Sequence, residues 1–454
     1  MVKPKTHVFP NGFRVIYEKP TNALKLTTID VFCDIGSAFE KDGVRGISHF
    51  VEHMCFKGTS KIPNPQDIFL SYDKIGAYFN AFTEKRTTVY TIRCEDEYAE
   101  NCISILGDMM LHSLIPKSHF LREQKVVLEE NIKSENSDRN ILGEAIDVFL
   151  YKGSSYQYPI DTLAYHMDTT KKYVQEKDIS YKNLVDWYHS FYIPSNMVFS
   201  IVSNVSFENI KRILAKSAFT KRPIEKNPVF KREMNLSLEL ALNRDKIHII
   251  SHDKGKPKNI SKTNHHILIG FRTCSQTDKD RHALDLLTYI LNGMSGRLFT
   301  ILREKNGLTY SSSCYTENFE HTGCFIISTQ TSAKHTMNGV LPLLVKLFID
   351  LKKKGITKEE LKVAKGNWHG KTVLRSESSG SIAYYNGWRY LIDPTLEHFV
   401  PFMDYYEKYI DQLTVEQINE IIQRYFTVEN MVIGIRGQDA PTVSEIEKVA
   451  NIFH

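Results

Sequence analysis

The sequence predicts an α+β fold made of two domains of one design, each an α/β sandwich in which an antiparallel-rich sheet is packed with helices. Strand-like and helix-like segments are interspersed along the whole chain instead of segregating into blocks. The stretch SYKNLVDWYHSFYIPSNMVFSIV (180–202) aligns without a gap with TVEQINEIIQRYFTVENMVIGIR (414–436), 234 residues later. Caps, apolar positions and the Asn-Met-Val strand start coincide (Ser180/Thr414, Leu184/Ile418, Asn196/Asn430). The same offset lays the helix around His49 on an apolar helix at 281–291, so the chain reads as a duplication.

The 454 residues, 42% hydrophobic and 24% charged, supply ample material for two cores. A net charge of +5 argues against a dedicated nucleic-acid binder. Seven scattered cysteines contain no C-x-x-C pair, so neither a disulfide framework nor a cysteine zinc finger is favoured. No run of about 18 apolar residues occurs, so no membrane span is expected. The expected location is cytoplasmic, with the mitochondrial matrix or another organelle as the alternative for a processed form.

Taken in order, 13–18 and 25–33 alternate as strands. Gly43 and Gly46 break the chain before the His49 helix, and Lys57-Gly58 ends it. Asn64-Pro65 opens a second helix, with a capping side chain followed by proline at the first position. Residues 77–83 and 87–93 read as a strand pair, and 96–112 and 118–135 as helices, with Ser118 as cap of the latter. A Lys/Arg/Pro-rich stretch beginning at Phe219 reads as an exposed linker. The expected division is therefore 1–218, a linker 219–240, and 241–454. The polar stretch 251–263 reads as a loop, and 337–354 as a helix.

Chemistry concentrates at Ser48-His49-Phe50-Val51-Glu52-His53-Met54, an H-x-x-E-H string. At about 100° per residue, Glu52 and His53 fall roughly −60° and +40° from His49. Two imidazoles four apart hold one metal ion, and the carboxylate beside them reaches a water. This is the inverted zinc-protease pattern, the inverzincin motif. An open zinc site needs a third protein ligand. The helix through LREQKVVLEENIK offers Glu123, Glu129 and Glu130. Glu123 and Glu130, seven apart, share a face, whereas Glu129 points about 100° away from Glu130. Cys55 lies outside the arc of the motif and reads as core. The second copy carries no histidine pair, so metal chemistry belongs to the first.

Four stretches in order, HFVEHMCFKGT, GAYFNAFTEKRTTVY, REQKVVLEE and SGRLFTILREKNGLTY, resemble the M16 metallopeptidases (pitrilysin, insulin-degrading enzyme, mitochondrial processing peptidase), and the length is similar to the M16B branch. The resemblance implies one Zn²⁺ per chain held by His49, His53 and Glu130, with Glu123 supporting the site. It implies Glu52 as the general base that activates the attacking water. It matches Asn80-Ala81-Phe82-Thr83 to a substrate-binding edge strand, with Asn80 the side chain that touches the peptide. It matches Arg303 and Tyr310 to a catalytic pair aimed at the carbonyl oxygen, Tyr310 foremost. Single-chain relatives are about twice this length, so the resemblance implies one half of a clamshell. The partners implied are peptide substrates and a second M16-like chain, as homodimer or heterodimer. The function implied is a zinc metalloendopeptidase acting on extended peptides or unfolded protein segments. The alternative is a non-catalytic scaffold or assembly subunit of an M16-like heterodimer.

Overall fold

A computed structural model describes residues 3–20, 24–135, 137–160, 165–167, 173–175, 179–223, 225, 247–253 and 264–451. Two compact units result, neither contiguous in sequence. The first comprises Met1–Ile132, Tyr158–Glu233 and Val373–Asp404; the second comprises Lys133–Gln157, Met234–Thr372 and Tyr405–His454.

The first unit is built on a six-stranded sheet of β1 (Lys5–Val8), β2 (Arg14–Glu18), β3 (Leu26–Cys33), β4 (Tyr78–Thr83), β5 (Thr88–Glu95) and β6 (Met197–Val202). Its order is β1-β2-β6-β3-β5-β4, with only β2 and β6 parallel. The second unit has a five-stranded sheet of β7 (His248–Asp253), β8 (Asn264–Thr273), β9 (Thr309–Asn318), β10 (Gly323–Ser332) and β11 (Met431–Gly437). Its order is β9-β10-β8-β11-β7, with only β7 and β11 parallel. Read from the other edge, this is the order and orientation of β2-β6-β3-β5-β4. The duplication is thus a duplication of topology. Asn196 and Asn430 illustrate it at side-chain level: each is buried, and each donates its amide to the last carbonyl of the preceding helix, Phe191 O and Tyr425 O, both at 3.1 Å.

One face of each sheet carries the main core of its unit. The opposite faces are covered by helices exchanged in sequence, and here the expected contiguous division differs from the observed one. The helix Asp138–Leu150, N-terminal in the chain, crosses β8 and β11 of the second sheet. Gly270 and Gly434 let it approach: a Cβ on Gly434 would lie 2.8 Å from Leu142 Cδ1. Conversely Ser379–Ile392 crosses β3 and β6 of the first sheet, where Ser200 Oγ donates to Ala383 O at 2.7 Å. A strand buried on both faces needs two layers of cover, and the chain supplies the second layer from its other half.

Local expectations mostly hold. Asn64 caps Pro65–Asp73 by accepting from Gln66 N. Ser180 and Thr414 cap Tyr181–Phe191 and Val415–Tyr425. Four need correction. The long helix begins at Lys117, so Ser118 lies inside its first turn. The segment 337–354 opens as a π-turn, Thr336–Val340, before the α-helix Leu341–Lys354. Phe219 is not in a solvated linker: it sits on the short helix Ala218–Lys221, fully buried and stacked on Phe13 at 4.8 Å. Residues 251–253 of the expected loop are the end of β7 and not loop; residues 224 and 226–240 of the expected linker and 254–263 of the loop lie outside the described residues. Among the described residues no helix is long and apolar enough to cross a membrane.

Candidate metal centre

The motif helix runs Ile47–Cys55, one apolar face in the core of the first unit through Phe50, Val51 and Met54. Its start is set by Gly46 in a left-handed conformation, φ 83°. No residue of the helix caps it. Instead the buried Glu40 carboxylate accepts from Gly46 N at 2.6 Å and from Ser48 N at 2.8 Å. It satisfies two end donors at the positive end of the helix dipole. Burial pushes this carboxyl up to about 7, against the pull of those N–H groups.

On the other face His49 and His53 stand with ring centroids 4.7 Å apart, 13% and 16% exposed. The helix Lys117–Glu135 brings Glu130 to them. Its Oε2 is 3.4 Å from His53 Nε2 and 3.8 Å from His49 Nε2. One ligand atom from each of the three lies within 4.8 Å of the others. A tetrahedral ion with bonds of about 2.0–2.2 Å spaces its ligand atoms roughly 3.3–3.6 Å apart. Two imidazoles and one carboxylate at this spacing fit a zinc ion with a fourth position left open. Among the described residues this is the one such cluster.

Glu123, one face-turn earlier, takes a different place. It is 4% exposed, with Oε2 2.9 Å from Lys57 Nζ and 3.7 Å from His53 Nδ1. It thus addresses the far nitrogen of the imidazole whose near nitrogen faces Glu130, the usual way a ligand histidine is oriented. Glu129 is absent from the cluster. Burial pushes the Cys55 thiol up to about 12, which fits a core cysteine and not a thiolate ligand.

Glu52 is 6% exposed and accepts a hydrogen bond from Thr83 Oγ1 at 2.7 Å. Thr83 ends β4, one of the two edge strands of the sheet. Successive side chains alternate, so Phe79, Ala81 and Thr83 share the face toward the motif helix; Phe79 and Ala81 pack on its core. Phe82 packs on the opposite face with Tyr384. Asn80 shares that opposite face and is exposed, its Oδ1 accepting from Ala81 N at 3.0 Å and its Nδ2 donating to Tyr78 OH at 3.3 Å.

In the second unit Arg303 Nη1 donates to Tyr310 O at 3.0 Å, and its guanidinium lies 5.1 Å from the Tyr310 ring centre. Tyr310 is 85% exposed. The two residues paired by the resemblance are therefore adjacent in space and presented to solvent. At the 234-residue spacing the counterparts of His49, Glu52 and His53 are Ala283, Leu286 and Leu287, all buried in the core of the second unit. In the second unit the corresponding helix face is packing surface.

The sequence pointed to no role for Lys57 or Glu40. Lys57 lies two residues past the end of the motif helix, Cys55, where no helical spacing ties it to His53 or Glu123. Glu40 precedes a glycine break and carries no local signal of its cap.

Residues 14–162 match a family model described as insulinase (peptidase family M16), and residues 178–367 match one described as the peptidase M16 inactive domain. An uncharacterized zinc protease of Bacillus subtilis is 28% identical over 433 residues, covering 93% of this chain and 96% of that protein. A protease of Helicobacter pylori, solved as a crystal structure, superposes with a TM-score of 0.81 at 20% identity, over 96% of this chain and 99% of that one. A periplasmic protease of Escherichia coli superposes with a TM-score of 0.75 at 16% identity, over all of this chain but 50% of that one.

Proposed function

The chain belongs to the peptidase M16 family, and on that premise we propose that it is a zinc-dependent endopeptidase acting on extended peptides or unfolded protein segments. The observation that carries the reading is the convergence of His49, His53 and Glu130 beside the buried Glu52. The three hold the metal, and Glu123 with Lys57 fixes the His53 ring. A zinc ion in that position supplies Lewis acidity to a water and to the scissile carbonyl. Glu52 takes the proton from the attacking water and returns it to the leaving amine.

The substrate adds as a strand along β4, its backbone groups pairing with those of the exposed edge. At that edge the Asn80 carboxamide covers the Ala81 N–H. It swings aside to release that donor and hydrogen-bonds the peptide in turn. Tyr310, held by Arg303, donates to the developing oxyanion. The solvent-exposed Arg/Tyr pair comes from a second copy, each supplying the other's site, and a two-fold homodimer is self-sufficient.

Cleavage of an internally quenched peptide by the purified chain tests the reading. It should cease with 1,10-phenanthroline and return on adding zinc. Cleavage indifferent to the chelator would overturn the reading.

A further inference from the structure

We propose that Thr83 is the positioning residue for Glu52: its hydroxyl holds the carboxylate in its working orientation, and so ties the end of the docking strand directly to the base. The proposal rests on the peptidase reading above. The resemblance assigned Thr83 to the peptide, but its side chain faces the motif helix and spends its proton on Glu52 Oε2 at 2.7 Å. A glutamate turns about three bonds, and a hydroxyl donor at this distance selects one setting.

The donor is itself fixed. A threonine is stiff at its first side-chain torsion. Its other neighbour, Thr88 Oγ1 at 3.5 Å, donates to Ile35 O at 3.0 Å. Thr88 can therefore only accept across that contact, and the nearer carboxylate takes the Thr83 proton. The chain just beyond Thr83 is clamped. Ser37 N donates to Glu84 O at 3.1 Å and Ala38 N to Lys85 O at 2.7 Å. The Glu84 carboxylate accepts from Tyr384 OH at 2.8 and 2.9 Å and from Thr87 Oγ1 at 3.1 Å. Gly36 permits this closeness, since a Cβ there would lie 2.3 Å from Glu84 O. Donor, strand end and turn therefore form one rigid support, as a preorganised base requires.

Two variants test this. Thr83→Val keeps the shape and strand preference and removes the hydroxyl; Thr83→Ser keeps the hydroxyl. In crystals of metal-free protein, Glu52 should hold one orientation in the wild type and in Thr83→Ser. In Thr83→Val it should spread over several. A single unchanged Glu52 position in Thr83→Val overturns the proposal. In peptide cleavage Thr83→Val should lose about 10- to 100-fold in kcat with KM little changed, and Thr83→Ser should recover most of it. An unchanged kcat, or a Ser variant as defective as the Val variant, also overturns it. A wild-type chain without metal-dependent cleavage removes the peptidase reading instead, and the crystals then decide on Thr83 alone.

Discussion

Replacing Lys57 by methionine separates what holds the first unit together from what holds the metal. Lys57 Nζ sits 2.9 Å from Glu123 Oε2, the side chains 20% and 6% exposed. At an effective dielectric of about 20 the attraction at that distance is roughly 6 kcal/mol, most of it offset by desolvation of the two charges. Removing one partner leaves a buried carboxylate uncompensated, which costs about 3–5 kcal/mol. For a unit of this size that lowers Tm by on the order of 10 °C. The double variant Lys57→Met/Glu123→Leu removes both charges and should regain most of that loss. It also strips His53 of the carboxylate 3.7 Å from Nδ1, so zinc affinity should fall about 10- to 100-fold. Calorimetry of the metal-free protein reads the first effect, and competition with a chromogenic chelator reads the second. A Lys57→Met variant within about 2 °C of wild type would refute the ion-pair reasoning. A double variant that binds zinc as tightly as wild type would refute the role given to Glu123.

Other outcomes follow from the same geometry. Gly387→Ala puts a Cβ 2.1 Å from Phe32 Cε2 and 2.9 Å from Ser200 Cβ; it should destabilise by about 1–3 kcal/mol in urea unfolding. Gly143→Ala, with no atom within 4 Å of its Cβ, should instead stabilise by about 0.5–1 kcal/mol. Asp30 is buried in β3, and burial raises its carboxyl to about 6 from the ordinary 3.8. The folded state therefore keeps a proton that the unfolded chain releases, and the stability this gives at low pH is lost as pH rises through about 6. Asp30→Asn should gain on wild type by up to about 3 kcal/mol between pH 4 and pH 7.5; an equal difference at both pH values would count against this. Finally, mixing inactive Glu52→Gln with inactive Tyr310→Phe should restore cleavage through hybrid dimers with one intact site. No recovery would count against a Tyr310 that arrives from a second chain.

Much of the fold was legible because duplication writes the same pattern twice. The caps at Ser180 and Thr414 and the asparagines at 196 and 430 sit at one spacing and do one job. Helix periodicity, however, shows only that a helix has an apolar face, and not which sheet that face covers. The exchange of Asp138–Leu150 and Ser379–Ile392 between units was therefore invisible. The site divides the same way. His49, Glu52 and His53 are neighbours within one helix, so spacing alone places them together. Glu123 and Glu130 could be ranked only by resemblance until the two helices were packed, when Glu130 met both histidines and Glu123 met Lys57. The Glu40 cap and the Thr83 contact join separate segments, and no local pattern encodes them.

The central claim is that His49, His53 and Glu130 hold a zinc ion on which Glu52 works as base without being a ligand. Zinc content and peptide cleavage, measured together on wild type and Glu52→Gln, test it most directly. Both proteins should hold one zinc per chain, and only the wild type should cleave. Undiminished cleavage in Glu52→Gln would contradict the role of the base. A wild-type chain that holds zinc yet cleaves nothing in a broad peptide library would point to the scaffold alternative.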